Sequence, residues 1–111
     1  MNEDRAMNTE LEHLRKMREL LAKGWTQGAW ARDENGNPVS ELSPAARSFC
    51  ILGARYRVCQ DTSGKIKLDA IFIAAVEFNL SSIKSWNDDP KRTQPEVLAF
   101  IDRAIEIEET E

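Results

Sequence analysis

Cys50 and His13 are the residues of this 111-residue sequence that could form a nucleophile and its base. A reactive cysteine needs such a base, or a positive setting, to hold its thiolate. Nothing in the spacing pairs the two, and beside Phe49 and Gly53 the thiol reads as a small buried hydrophobe. Asn87, Asp88 and Asp89 could hold a magnesium ion or act as a carboxylate pair. Short polar side chains between two helices also cap helix ends and form turns without any metal. The sequence contains no phosphate-cradling glycine loop, no zincin helix and no Gly-x-Ser-x-Gly elbow. It offers no catalytic set, metal-ligand set or cofactor motif, and so reads against an enzyme.

Recognition is the other chemistry on offer. Trp25, Gln27, Trp30 and Arg32 fall within GWTQGAWARDENG (24–36), while Trp86, Asn87 and Asp88 are consecutive near the C-terminus. Indole faces with Gln27, Asn87 and Asp88 suit a polar ring or a nucleotide, in a pocket between the two stretches. Trp30 beside Arg32 is of the residue type enriched at protein-binding hot spots. On a strand, positions 25 and 30 differ in parity and face opposite sides, unless a bulge at Gly28 intervenes. Trp25, directly after the first helix, is then the core anchor. Trp30 either meets a partner or covers the edge of the core. These seven residues are the candidate binding set.

The elements that must position them can be read from periodicity and punctuation. Thr9 to Glu12 forms a capping box, Leu11, Leu14 and Leu21 follow at helical spacing, and Gly24 offers a left-handed stop, so the first helix covers about 10–23. Residues 25–33 read as a strand, and Asn35-Gly36 as a type I′ hairpin turn into a short return strand at Pro38. Ser43-Pro44 starts a second helix, with Ala46, Phe49, Cys50, Leu52, Gly53 and Tyr56 on one broad face. Gly53 on that face would admit another backbone. After the loop at 60–65, Asp69 caps a third helix to about Lys84, apolar nearly all round and so the most buried element. A strand over 66–74 is the alternative there. Thr93 to Glu96 caps a last helix over 94–108, with Val97, Leu98, Ile101, Ala104 and Ile105 on its inner face. The expected fold is α+β and predominantly α, with about four helices and one β-hairpin inserted after the first. It forms one compact domain, 9–111, behind a flexible N-terminus, 1–8.

Composition narrows the partners. Apolar residues at 41% are enough to drive folding of one domain. The net charge of −4 is concentrated at the C-terminal end, where residues 86–111 carry three basic and eight acidic side chains. No basic footprint for nucleic acid dominates. The longest apolar run, 70–76, is too short to span a bilayer, and the first residues are polar, so a cytoplasmic protein is expected. As neighbours on one helix, Cys50 and Cys59 would point to opposite faces about 13 Å apart along the axis, and both are expected to be reduced.

The GWTQGAWARDENG stretch, the CILGA of 50–54 and SWNDDPKRTQPEVLAFIDRAI from 85 to 105 together resemble a family of small bacterial and phage proteins known as a domain of unknown function. Gly24, Trp25, Gln27, Gly28, Ala29, Cys50, Gly53, Ala54, Trp86, Asn87 and Asp88 match its pattern. Arg55-Tyr56-Arg57 departs from it, since similar sequences are more aliphatic there. The resemblance covers most of the chain and implies no activity. The function expected is a non-enzymatic interaction module, accessory or regulatory, that engages a protein partner or self-associates. The alternative is a small-molecule or nucleotide binder using the pocket between the tryptophan hairpin and the Trp86-Asn87-Asp88 turn.

Overall fold

Two long amphipathic helices carry the core of the computed structural model, which describes residues 2–60 and 69–110. α1 (Asn2–Lys23) buries Leu14, Met17 and Leu21, and α5 (Gln94–Thr110) buries Val97, Phe100, Ile101, Ala104 and Ile107. The two stripes pack on each other, and each large apolar side chain withdrawn from water contributes about 1.5–3 kcal/mol. Salt bridges Arg18–Asp102 (2.7 Å) and Arg15–Glu109 (2.9 Å) run along the outside of this pair. Solvent screens such exposed pairs, so they favour one register more than they add stability. α1 begins well before Thr9, which therefore lies inside the helix rather than capping it.

The last helix starts as its sequence indicates. Glu96 reaches back to accept from the Thr93 N–H at 2.9 Å and from the Thr93 hydroxyl at 3.1 Å. Leu98 and Ile105, expected on the inner face, are half-buried, and Phe100 and Ile107 fill the interior instead.

In the chain between these helices comes a three-stranded antiparallel sheet of two-residue strands, β1 (Ala31–Arg32), β2 (Pro38–Val39) and β3 (Ser48–Phe49), in the order β2-β1-β3, with β3 packed on α1. The hairpin is present, with Ala31 opposite Val39 and Arg32 opposite Pro38. Pro38 sits on the edge strand, where its missing donor does no harm. The turn is not type I′. Only Gly36 has positive φ (83°), and the Asp33 carboxylate accepts from the N–H groups of Asn35 and Asn37.

Residues 43–50 depart furthest from expectation. Ser43-Pro44 forms a tight turn, with the Ser43 hydroxyl accepting from Ala45 N–H. The chain then enters β3 rather than a helix. β3 pairs with β1 on one side and, through a parallel bridge, with Trp25 on the other. Phe49 N–H donates to the Gly24 carbonyl (2.9 Å), and Thr26 N–H donates to the Phe49 carbonyl (3.0 Å). A side chain at Gly24 would overlap the Arg47 carbonyl. Gly24 is therefore required for this close approach, not for a left-handed helix stop. α2 (Ile51–Cys59) starts only after Cys50, whose Sγ accepts from Gly53 N–H at 3.2 Å as the N-cap.

The expected third helix divides in two. α3 (Asp69–Glu77) is stopped by Asn79, with φ 61°, and the residues before Asp69, on which its expected capping role depends, lie outside the described residues. Asn79 N–H donates to the Val76 carbonyl and Leu80 N–H to the Ala75 carbonyl, a Schellman stop with asparagine in the left-handed position. α4 (Ile83–Asn87) restarts from Ser82, whose hydroxyl accepts from Ser85 N–H. α3 is not the most buried element. It packs Ala70, Ile71 and Ala74 against α5 and leaves Phe72, Ile73 and Val76 exposed. All but the first residue of the expected loop at 60–65, and the first residues of the alternative strand over 66–74, lie outside the described residues. No helix among the described residues is long and apolar enough to cross a membrane.

Candidate functional site

The two stretches singled out as candidates meet in space, and Asn87 joins them. Asn87 is 1% exposed, and its amide is fully used. Its Oδ1 accepts from Trp25 Nε1 (2.9 Å) and from Ile51 N–H (3.1 Å). Its Nδ2 donates to the Thr26 carbonyl (3.2 Å) and to Asp88 Oδ1 (2.9 Å). An indole N–H and a backbone N–H can only donate, so the orientation of the amide is fixed by its neighbours. One side chain thus ties together the segment after α1, the first turn of α2 and the end of α4.

Gln27 and Asp88 extend the clasp. Gln27 Nε2 donates to the carbonyls of Asn87 (2.9 Å) and Asp89 (2.6 Å), and Gly28 N–H donates to Asp88 Oδ1 (3.1 Å). Gly28 has φ 77°, a backbone state that favours glycine and turns this N–H toward the carboxylate. Arg32 belongs to the same bend. Its guanidinium donates to Thr26 Oγ1, to the Gln27 carbonyl and to the Gly36 carbonyl, at 2.8–3.0 Å. Trp86 lies between Phe100, 5.4 Å centroid to centroid, and the Arg92 guanidinium, 4.0 Å above its ring. Arg92 Nε also donates to the Trp86 carbonyl (2.9 Å). Trp25, Gln27, Arg32, Trp86, Asn87 and Asp88 therefore spend their polar groups or ring faces on one another and on the fold.

Trp30 stands apart from this network. It is 41% exposed and stacks on Tyr56 of α2 with ring centroids 5.1 Å apart. Its backbone is held in place. The Trp30 carbonyl accepts from Cys50 N–H (3.2 Å) and lies directly on Gly53, where any side chain would overlap it. Gly53 thus admits the backbone expected of it, and that backbone is the one carrying Trp30. Tyr56, expected on the inner face of its helix, is exposed instead.

Trp30 forms a ridge between two concavities. One is a pocket of about 90 Å³ between the 28–30 bend, Cys50, Leu52, Lys84 and the Asn87-Asp88 turn. Of the seven candidate residues, Trp30, Asn87 and Asp88 line it, and Trp25, Gln27, Arg32 and Trp86 do not. The other is an open groove of about 450 Å³ along residues 38–41. Tyr56, Leu52 and Lys84 were absent from the sequence-derived set. Reading 43–59 as one long helix had placed Tyr56 inward and so removed the signal that would have found it.

Burial pushes the Cys50 thiol pKa up, against the opposing pull of the Gly53 N–H, and burial raises that of Cys59 as well. Both cysteines are buried, and neither forms a disulfide. A thiol held protonated in this way is a poor nucleophile at neutral pH. Among the described residues, no group of three or more His, Cys, Asp or Glu side chains could hold a metal ion.

The acidic last helix is less of a free charged surface than its composition suggests. Glu96, Asp102, Glu106 and Glu109 each pair with an arginine. Arg57 is committed too, donating to the Glu41 and Ser43 carbonyls.

Comparison with curated proteins and with solved structures gave no match. A family match covers residues 5–107, from within α1 to within α5, and so takes in both halves of the Asn87 clasp and the Trp30 ridge. The chain belongs to the family of unknown function DUF6197.

Proposed function

We propose that this protein is a non-enzymatic interaction module, an accessory or regulatory protein of bacterial or phage origin acting in the cytoplasm, which binds a protein partner across the Trp30–Tyr56 ridge. The observation that carries this reading is the fixed exposure of Trp30. A half-exposed indole gains little for the fold, yet its backbone is locked by Cys50 and Gly53 and its ring is stacked on Tyr56. A large aromatic side chain held rigidly between two concavities loses little entropy when a partner covers it. The test is affinity purification with wild-type protein and with Trp30→Ala and Tyr56→Ala variants matched for melting temperature. A partner retained by wild type and lost by both variants supports the reading. The same partners recovered by all three proteins would contradict it.

A second reading is favoured by the pocket beside the ridge. Asp88 Oδ1 is occupied by two donors, while Oδ2 accepts no hydrogen bond from a described residue, and Lys84 lines the same pocket. Such a pocket suits a small polar ligand. Thermal-shift screening against nucleotides and metabolites separates the two readings, since a ligand at 100 times its Kd adds about 2.7 kcal/mol.

A further inference from the structure

The outer face of α3 is apolar and uncovered. Phe72, Ile73 and Val76 follow the i, i+1, i+4 spacing of one helical stripe, and Val76 is 78% exposed, the most of any large hydrophobic residue described. Beside this stripe runs an open groove of about 450 Å³ walled by Leu52, Phe72, Val76, Leu80 and Ile83. Arg55 lies 5.7 Å above the Phe72 ring and covers part of it, which leaves Ile73 and Val76 bare. A face of this kind on a small protein marks an interaction surface.

The charges at its ends identify the occupant. Asp69 lies one turn ahead of Phe72 and Ile73 on the same side of α3. Lys84 stands on the groove wall beyond the other end of the helix. Both are exposed, and among the described residues neither has an ion-pair partner, although Glu77 on the same helix is paired with Arg103. An apolar stripe with an unpaired acid at one end and an unpaired base at the other complements a copy of itself turned end for end. In a two-fold arrangement residue i of one chain meets residue j of the other and j meets i, so Asp69 of each chain faces Lys84 of the other, and only residues at the axis, here Val76, meet their own counterparts.

We propose that a second copy of this chain docks on the outer face of α3, antiparallel, to form a homodimer. The proposal rests on the α3 face and not on the Trp30 ridge, although Leu52 and Lys84 line both this groove and the pocket beside that ridge.

The experiment is sedimentation equilibrium on the full chain over a concentration series up to millimolar. It is repeated for Val76→Glu, Lys84→Asp, Asp69→Lys and the double variant Asp69→Lys/Lys84→Asp. Wild type is expected at twice the chain mass at the upper concentrations. Val76→Glu should be monomeric with an unchanged melting temperature at low concentration, since its side chain is in water in the monomer. Each single charge variant should raise the dissociation constant at least tenfold, and the double variant should restore it to within about threefold of wild type. A wild-type chain that stays monomeric throughout overturns the proposal, as does a dimer that Val76→Glu leaves intact. Failure of the double variant to restore assembly, while its circular dichroism matches wild type, also overturns it. If a foreign protein binds this face in a Val76-dependent way while the isolated chain remains monomeric, the face belongs to that protein and the homodimer is wrong. Loss of binding at Trp30 in the earlier experiment would be unaffected by any of these outcomes.

Discussion

The Trp25 indole N–H donates to Asn87 Oδ1 at 2.9 Å, across 62 positions of sequence. The two residues belong to the stretches most suggestive of a binding site, and they are bonded to each other inside the protein. Trp25 is the anchor at the end of α1, and Asn87 is the acceptor that lets its indole be buried without an unpaired donor. Trp30, five residues on, is outside that bond network, with its ring exposed and stacked on Tyr56. The segment thus has an inward tryptophan that fixes it and an outward one that it presents.

Gly53→Ala tests how firmly the ridge is held. Alanine raises helix propensity by about 1 kcal/mol over glycine, but its Cβ would overlap the Trp30 carbonyl oxygen. Overpacking against backbone costs about 1–3 kcal/mol, so a net loss of stability is expected in chemical denaturation, together with a changed Trp30 fluorescence maximum. A stabilised protein with unchanged fluorescence would mean that the two backbones are not in contact.

The sequence was most legible where local chemistry and tertiary packing agree. The Thr93–Glu96 cap, the Asn-Gly hairpin position and the Gly53 approach are all set by short-range rules that the fold then uses. It misled where a distant partner outweighed local propensity. Ser43-Pro44-Ala45-Ala46 starts a helix by every local rule, yet pairing of residues 47–49 with Gly24 to Thr26 and with β1 turns the chain into β3. Asn79 was hidden within an apolar run, and only its left-handed backbone shows that α3 stops there. Of the candidate site, the sequence supplied the residues but not the division of labour among them. Whether an asparagine is a ligand or a fastener depends on what its amide meets, and Asn87 meets residues from three separate segments.

Acid should weaken the packing of α5. The Arg103 guanidinium holds the Glu77 carboxyl below its ordinary range, and the Thr93 N–H does the same for Glu96. A carboxyl whose pKa is depressed by folding contributes stability above its unfolded value and loses it as pH falls through the folded one. The melting temperature is expected to be flat above about pH 5 and to fall below the ordinary carboxylate range. Glu77→Gln and Glu96→Gln together should flatten part of that fall. An identical acid slope in the double variant would show that these two groups do not carry it.

The thiols should be inert in the folded protein. Cys50 and Cys59 are buried and their pKa values are raised by burial, so a thiol reagent at neutral pH is expected to label neither until denaturant is added. Cys50→Ser should be mild, within about 1 kcal/mol, because serine is a preferred N-cap and can take over the bond from Gly53 N–H. This differs from the penalty expected if Cys50 lay inside the helix. Fast labelling of Cys50 in the native state would contradict its placement as a buried cap.

The Asn87→Ala substitution tests the central claim, that the Trp-Asn-Asp turn fastens the fold while Trp30 is left free to bind. Removing the amide strands the buried Ile51 N–H at about 1–3 kcal/mol, leaves the part-buried Trp25 Nε1–H without its acceptor at a smaller cost, and takes the donor from the Thr26 carbonyl. Equilibrium urea unfolding of Asn87→Ala beside Trp30→Ala is the direct measurement. The expected result is a loss of about 3 kcal/mol or more for Asn87→Ala and less than about 1 kcal/mol for Trp30→Ala. An Asn87→Ala protein within about 1 kcal/mol of wild type, or one less affected than Trp30→Ala, would contradict the account.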